Sequence, residues 1–226
     1  MARKKTAGRL KVALAFVLLF GPAFLLIVIS TRSCTHKFKK LPDLGVVAEY
    51  SFTDINGKKR TSKDFKDKIV LITTLQVSCP NNCAISLINL NLQVFQLAKN
   101  FDDDGIKIIS YITDENGNPV DDLKYVEKML NDRIEGYDPN LWILASGDPR
   151  DVYNLEHEGR KLLEETGDDF FAGKAYLEMM LLVDKTNHLR MILSGNSVGM
   201  IRKMKQHIAL LQKQYDIESS GKDRKK

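Results

Sequence analysis

An apolar, β-branched run at residues 69–75 constrains the fold of this chain more than any other feature. Such a run is typical of a central strand that is buried on both faces. The sequence Cys79-Pro80-Asn81-Asn82-Cys83 follows it, and apolar residues at helical spacing then continue from Ala84 to Asn100. The pattern therefore predicts a strand, a dithiol and a helix in immediate succession, with Cys83 inside the helix.

Strands and helices alternate along the rest of the chain. The predicted strands are 106–113, 141–144, 175–183 and 188–193, and the predicted helices are 121–130, 150–165 and 197–214. The Asn56-Gly57 pair predicts a hairpin before the first central strand. The alternation indicates an α/β fold, a central mixed sheet with helices on both faces. A dithiol after the first central strand favours a thioredoxin-like version of it.

The N-terminal region predicts a membrane anchor. Residues 12–30 are almost wholly apolar and uncharged, about the length that a transmembrane helix needs. Residues 1–11 are basic, as expected of a cytoplasmic N-terminus. A cleaved signal peptide fits less well because no A-x-A-like site follows. A lipoprotein acylated at Cys34 fits less well because Arg32 lies two residues before it.

These features divide the chain into five predicted parts. They are a basic N-terminus (1–11), a transmembrane anchor (12–30), a linker (31–44), a thioredoxin-like domain (45–215) and a charged tail (216–226). The net charge of +5 comes from the first 40 residues, which contain nine Lys and Arg and no acid. The remainder is mildly acidic, so nothing in it favours a nucleic-acid partner. The basic residues beside the anchor are better explained by attraction to lipid headgroups.

Two cysteines four residues apart allow a limited set of reactions. A helix N-terminus favours thiolate over thiol, which makes Cys79 and Cys83 candidate catalytic residues. The pair could close a disulfide or present two thiolates to Cu(I). A structural zinc site would need four ligands, and the chain lacks further paired cysteines or histidines.

The surroundings of the dithiol resemble the SCO/SenC family. Residues 78–83 resemble its C-P-x-x-C-P signature, and further similar stretches are 52–58, 65–71, 109–114 and 142–147. The similarity extends from about Pro42 to Gln214. The resemblance implies a membrane-anchored, thioredoxin-like protein that delivers copper during cytochrome c oxidase assembly. It further implies Cys79 and Cys83 as copper ligands and a cytochrome oxidase subunit as partner. The short N-terminal arm lacks the look of a transit peptide, which favours a single-pass bacterial inner-membrane protein with its domain on the periplasmic side.

The chain departs from the family at the third copper ligand, a histidine before a late strand. That register falls on Tyr176, and no histidine lies between Gly159 and Thr186. If residues 175–183 form one strand, Tyr176, Glu178 and Met180 share a face. Glu178 or Met180 could then replace the histidine, although Met180 is more simply explained as core. We therefore expect Cu(I) to bind better than Cu(II), which prefers nitrogen or oxygen ligands as well.

The absence of that histidine favours thiol–disulfide exchange as an alternative to copper delivery. Cys79 would attack and Cys83 would resolve the mixed disulfide. The alternatives are a metal-independent oxidoreductase and a non-catalytic assembly factor. Asp114 could lie near the dithiol at the end of the neighbouring strand, or could be an ordinary turn residue. The other histidines, His36, His157, His188 and His207, are expected to be structural or surface residues.

Overall fold

The computed structural model describes residues 3–33, 40–78, 85–101, 105–167 and 173–223. It divides into two compact units, Met1–Lys39 and Lys40–Lys226. The first contains helix α1 (Arg3–Ser33), with Pro22 inside it. Across the described ranges, no helix combines the length and apolar composition needed to cross a bilayer. The predicted anchor at 12–30, and with it the single-pass inner-membrane location and periplasmic domain, is therefore wrong.

The second unit is built on a seven-stranded mixed sheet. Its strands are β1 (Ser51–Asp54), β2 (Lys59–Thr61), β3 (Ile69–Gln76), β4 (Ile106–Thr113), β5 (Trp142–Ser146), β8 (Met179–Val183) and β9 (Leu189–Ser194). Their order in the sheet is β2-β1-β5-β4-β3-β8-β9. A separate hairpin is formed by β6 (Glu156–His157) and β7 (Arg160–Lys161).

Four helices of this unit connect or follow the strands. They are α2 (Leu87–Leu90, continuing through a π turn at Asn91–Phe95 to Gln96–Ala98), α3 (Lys124–Arg133), α4 (Pro149–Tyr153) and α5 (Val198–Asp223). Short 3₁₀ turns lie at Ser62–Phe65, Leu162–Glu164 and Ala175–Leu177. The longest of these four helices, α5, runs through residues 216–223, which the sequence assigned to the tail.

The strand order confirms the predicted thioredoxin-like core. β3 pairs in parallel with β4 over eight residues, and β4 pairs in parallel with β5. On the other side of β3, β8 and then β9 pair antiparallel, and α5 follows. The predicted hairpin is also present: β1 pairs with β2 across a turn in which Gly57 has a φ of 74°.

The core lies on both faces of the sheet. Leu71 and Leu75 of β3 pack on one face with buried residues of α2, α3 and α5, whereas Val70 and Ile72 pack on the other. That second face is covered by shorter elements, which contribute Phe52, Phe65, Tyr153 and Leu177. Helical elements thus cover both faces, as predicted, but the three longer helices share one of them.

Two predicted elements differ from the structure. The predicted helix 150–165 ends at Tyr153, and β6 and β7 follow, because Glu158 (φ 52°) and Gly159 (φ 76°) form a turn with left-handed backbone. The predicted strand 175–183 begins only at Met179. Tyr176 lies on the 3₁₀ turn before it, so the strand alternation assumed for that segment does not apply to Tyr176.

Helix α2 also differs from its prediction. It begins at Leu87, where Ser86 Oγ accepts a hydrogen bond from the backbone N–H of Asn89 (3.3 Å). The sequence predicted a start at Ala84. Cys83, which was predicted to lie inside the helix, is outside the described residues. The apolar residues of this segment differ in exposure: Leu90 and Phe95 are buried, but Ile88 and Leu92 are 67% and 56% exposed.

A buried hydroxyl network joins the three parallel strands on the helical face. The hydroxyls of Thr73 and Ser110 are 2.7 Å apart, and Trp142 Nε1 donates to Ser110 Oγ at 2.9 Å. All three residues are fully buried. Ser110 is thus the shared partner of a β3 residue and a β5 residue.

Replacing Ser110 by Ala should destabilise the domain by about 2 kcal/mol or more, because two buried polar groups lose their partner. Urea unfolding measures the loss. Ser146→Ala is the matched control: its hydroxyl bonds Asp121 at the surface, so its effect should stay within about 0.5 kcal/mol. Equal losses in the two variants would contradict the assigned role of the network.

Candidate functional site

The candidate site lies where β3 and β4 end, at what we term the carboxyl edge of the sheet. Gln76 pairs with Thr113 at the last register position, and Val77 N donates to Thr113 O (2.9 Å). Cys79 and Cys83 lie in segment 79–84, outside the described residues. The structure describes the two flanks of this dithiol segment, Val77–Ser78 and Ile85–Ser86.

The helical flank is held by packing. Ile85 is 2% exposed, and a Cβ atom added to Gly195 would lie 2.8 Å from its Cγ1. Gly195 belongs to the loop between β9 and α5, which also reaches the carboxyl edge. A glycine at that position therefore lets the chain that follows the dithiol pack against this loop.

Asp114 follows β4 at the same edge and organises the turn 114–118. Its Oδ1 accepts hydrogen bonds from the backbone N–H groups of Asn116 and Asn118 (both 2.8 Å), and its Oδ2 accepts one from Asn118 Nδ2 (3.1 Å). The hydrogen bond from the Asn118 N–H, with the others, holds the pKa of Asp114 below its ordinary value. The structure shows the predicted role of Asp114 as a turn residue, whereas its predicted proximity to the dithiol involves residues outside the described ranges.

Three side chains from other elements bind the carbonyl groups of this turn. Gln76 Nε2 donates to Glu115 O (3.3 Å), Lys174 Nζ to Asn116 O, and the Tyr176 hydroxyl to Gly117 O (3.4 Å). The sequence analysis missed Gln76 and Lys174. The turn signal Asp-Glu-Asn-Gly-Asn was readable, but its partners come from distant parts of the chain.

Tyr176, in the register of the family's histidine, is 6% exposed and belongs to the face of the sheet opposite the long helices. Burial raises the pKa of its phenol, so the hydroxyl stays protonated at neutral pH and acts as a donor. Its ring lies 6.3 Å from that of Tyr153. Met180 is fully buried in the core on the other face. The predicted shared face of Tyr176 and Met180 is therefore wrong.

Glu178 lies at the carboxyl edge and is 5% exposed. Its Oε2 accepts hydrogen bonds from Asn196 Nδ2 (2.7 Å) and Ser194 Oγ (3.4 Å). Its carbonyl also accepts the N–H of Gly195. Glu178 therefore ties the start of β8 to the end of β9.

The histidines lie on other parts of the fold. Because Val183 pairs with Val70, the turn that contains His188 lies at the opposite, amino edge of the sheet. There His188 Nδ1 is 2.8 Å from Asp43 Oδ2. His157 belongs to β6 and His207 to α5, whereas His36, like Cys34, is outside the described residues. Within the described ranges, no group of three or more His, Cys, Asp or Glu side chains could hold a metal ion.

The strand order defines a thioredoxin-like fold, and in the sequence the dithiol segment follows β3, its first central strand. The chain belongs to the SCO1/SenC family, because the model of that family matches residues 39–210, well over half of its length. This membership supports a role in cytochrome c oxidase assembly or in thiol redox chemistry. A search of curated protein sequences found no significant match.

Solved structures with similar folds include two proteins of this family. One is BsSco, described as a member of the Sco family of cytochrome c oxidase assembly proteins with a disulfide switch (15% identity, 75% of this chain and 97% of that one, TM-score 0.49). Another is a SCO1/SenC family lipoprotein from Bacillus anthracis (16% identity, 73% of this chain and 96% of that one, TM-score 0.45). A further similar structure is that of a thiol:disulfide interchange protein from Bacteroides sp. (16% identity, 74% of this chain and 90% of that one, TM-score 0.45). Because these TM-scores are below 0.5, the assignment of the fold rests on the strand order described above.

The lowered pKa of Asp114 makes its contribution to stability dependent on pH. That contribution should be present above the unfolded-state pKa of about 3.9 and be lost as the pH falls through the folded-state pKa. Asp114→Asn should therefore lower the melting temperature at neutral pH, and the difference from wild type should shrink in acid. Glu115→Gln, which changes the exposed neighbour, is the charge control. A difference that is constant across the acid range would contradict the assignment.

Proposed function

We propose that this SCO1/SenC protein uses Cys79 and Cys83 as a redox dithiol that reduces a disulfide in a cuproprotein partner, such as a cytochrome oxidase subunit. The supporting observation is that the polar side chains described at the carboxyl edge already form structural hydrogen bonds. Asp114, Tyr176 and Glu178 each hold a turn or a strand end. The two thiols are then the groups at the carboxyl edge that supply the chemistry.

The reaction proceeds in two exchanges. The Cys79 thiolate attacks one sulfur of the partner's disulfide, forms a mixed disulfide and releases a thiolate that takes up a proton. The Cys83 thiolate then attacks Cys79, closes the 79–83 disulfide and releases the second partner thiol. Two electrons pass from the dithiol to the partner. An external dithiol must reduce the protein before the next cycle.

Copper delivery is the second candidate, and family membership favours it. Copper would then be cargo, held as Cu(I) by the thiolates of Cys79 and Cys83. The donors that could complete a third position are otherwise engaged: Met180 is in the core, and the Tyr176 hydroxyl is a protonated donor. This donor set fits Cu(I), which two soft thiolates can bind, better than Cu(II).

The exchange reaction can be tested with the full chain carrying Cys34→Ser, which removes the third thiol. The reduced protein should reduce an equimolar amount of a cystine-bridged peptide. Mass spectrometry after acid quenching measures the reaction. Cys83→Ser should stop at a mixed disulfide on Cys79, because no resolving thiol remains, and Cys79→Ser should not react. Equal activity of wild type and the double Ser variant would contradict the proposal and favour the non-catalytic assembly factor.

Copper binding can be tested by titrating the same protein with Cu(I) against a competing chelator. Binding should require both Cys79 and Cys83, whereas Met180→Leu should leave the affinity unchanged, because this side chain lies in the core. Cu(II) should bind poorly for lack of a third ligand. A loss of Cu(I) affinity in a folded Met180→Leu variant would show instead that the thioether is a ligand.

A further inference from the structure

An apolar groove lies on the outer side of α2, the helix that follows the dithiol segment in the sequence. It has a volume of about 420 Å³ and is lined by Leu87, Ile88, Asn91, Leu92, Arg133 and Ile134. Ile88 and Leu92 are one helical turn apart and more than half exposed. Single exposed apolar side chains are common, but two that line one concave surface indicate a binding site.

The backbone of α2 accounts for this exposure. The N–H of Gln96 donates to Asn91 O, five residues earlier, so the π turn holds one residue more than an α-helical turn. The buried positions around it are Leu90, Val94 and Phe95. Ile88 and Leu92 therefore face away from the core, although their spacing suits a buried stripe. π turns inside α-helices occur frequently at functional sites.

The groove is close to the dithiol by chain connectivity. Leu87 follows Cys83 by four residues, so their Cα atoms can be at most about 14 Å apart. The groove therefore begins within that distance of Cys83, the resolving residue of the proposed reaction.

One end of the groove carries a positive charge. Arg133, the last residue of α3, is exposed and forms no ion pair with any other described residue. Its guanidinium is always charged and binds carboxylates through two parallel hydrogen bonds. Apolar walls beside an unpaired arginine are complementary to a segment that carries apolar and acidic side chains together.

We propose that this groove is the docking site for an apolar, acidic segment of the partner whose disulfide Cys79 and Cys83 reduce. The segment's apolar side chains cover Ile88 and Leu92, and its carboxylate pairs with Arg133. The proposal rests on the proposed function and adds to it the chemistry by which the partner is selected.

Three cystine peptides of equal length test the proposal, with flanks that are apolar and acidic, apolar and basic, or polar and acidic. The full chain with Cys34→Ser should reduce the first peptide fastest. Leu92→Glu should lower its rate by about tenfold, equivalent to about 1.4 kcal/mol of lost binding. Ile217→Glu is the control, because Ile217 is 51% exposed on α5 and does not line the groove. Glutathione disulfide, which has no such flanks, should react equally with all variants.

Arg133→Glu gives an independent result, because it should reverse the preference from the acidic to the basic apolar peptide. Equal rates for all three peptides, or no effect of either groove variant, would overturn the docking site and leave the redox function intact. Failure of the wild type to reduce even glutathione disulfide would overturn the redox function itself. A wild-type dimer that Leu92→Glu converts to a monomer would show that a second copy of the chain occupies the groove.

Discussion

The parallel pairing of β3 with β4 is the interaction on which the rest of this domain depends. Both strands are buried over nearly all of their length, so hydrophobic burial on two faces sets their position at the centre of the sheet. Their eight-residue register makes them end at the same level. Val77–Ser78, which precede the dithiol segment, and the Asp114 turn consequently begin side by side. Antiparallel pairing of β8 on the other side of β3 brings the chain around Tyr176 and Glu178 to the same edge.

This arrangement creates a demand for hydrogen bonds that the polar side chains satisfy. The turn 114–118 presents carbonyl groups beside the sheet edge. Tyr176 donates to the buried carbonyl of Gly117, which needs a partner, and Gln76 and Lys174 donate to two exposed carbonyl groups. At the position where the family carries a copper ligand, this chain has a residue that stabilises the neighbouring turn. Under the proposed function, a Cu(I) ion or a partner disulfide would therefore react with the thiols, because the neighbouring polar side chains are held in structural hydrogen bonds.

Much of this framework is predictable from local sequence, and the failures have specific causes. β4 matches its prediction, and β3 extends it by one residue at Gln76, because a continuous apolar run has few other ways to be buried. The apolar spacing of Val152, Leu155 and Leu162 also fits a helix, but Gly159 allows a left-handed turn that divides the segment into a hairpin. The cysteines were predictable as a motif. The contact between Tyr176 and Gly117 was not, because it joins residues 59 positions apart.

The outer surface of α2 follows from the same central constraint and limits the kind of complex that can form. The helix must bury Leu90, Val94 and Phe95 against the sheet, and the π turn does so while leaving Ile88 and Leu92 outside. Fully burying two such side chains contributes about 1.5–3 kcal/mol each. Association costs an estimated 4–15 kcal/mol in lost freedom of motion, so the two side chains offset little more than the lower end of that cost and the groove alone supports only weak binding. In the proposed reaction, a mixed disulfide on Cys79 would supply the missing connection while it exists, and its resolution by Cys83 would release the partner. A weak apolar groove next to a dithiol is thus suited to selecting a partner without retaining it.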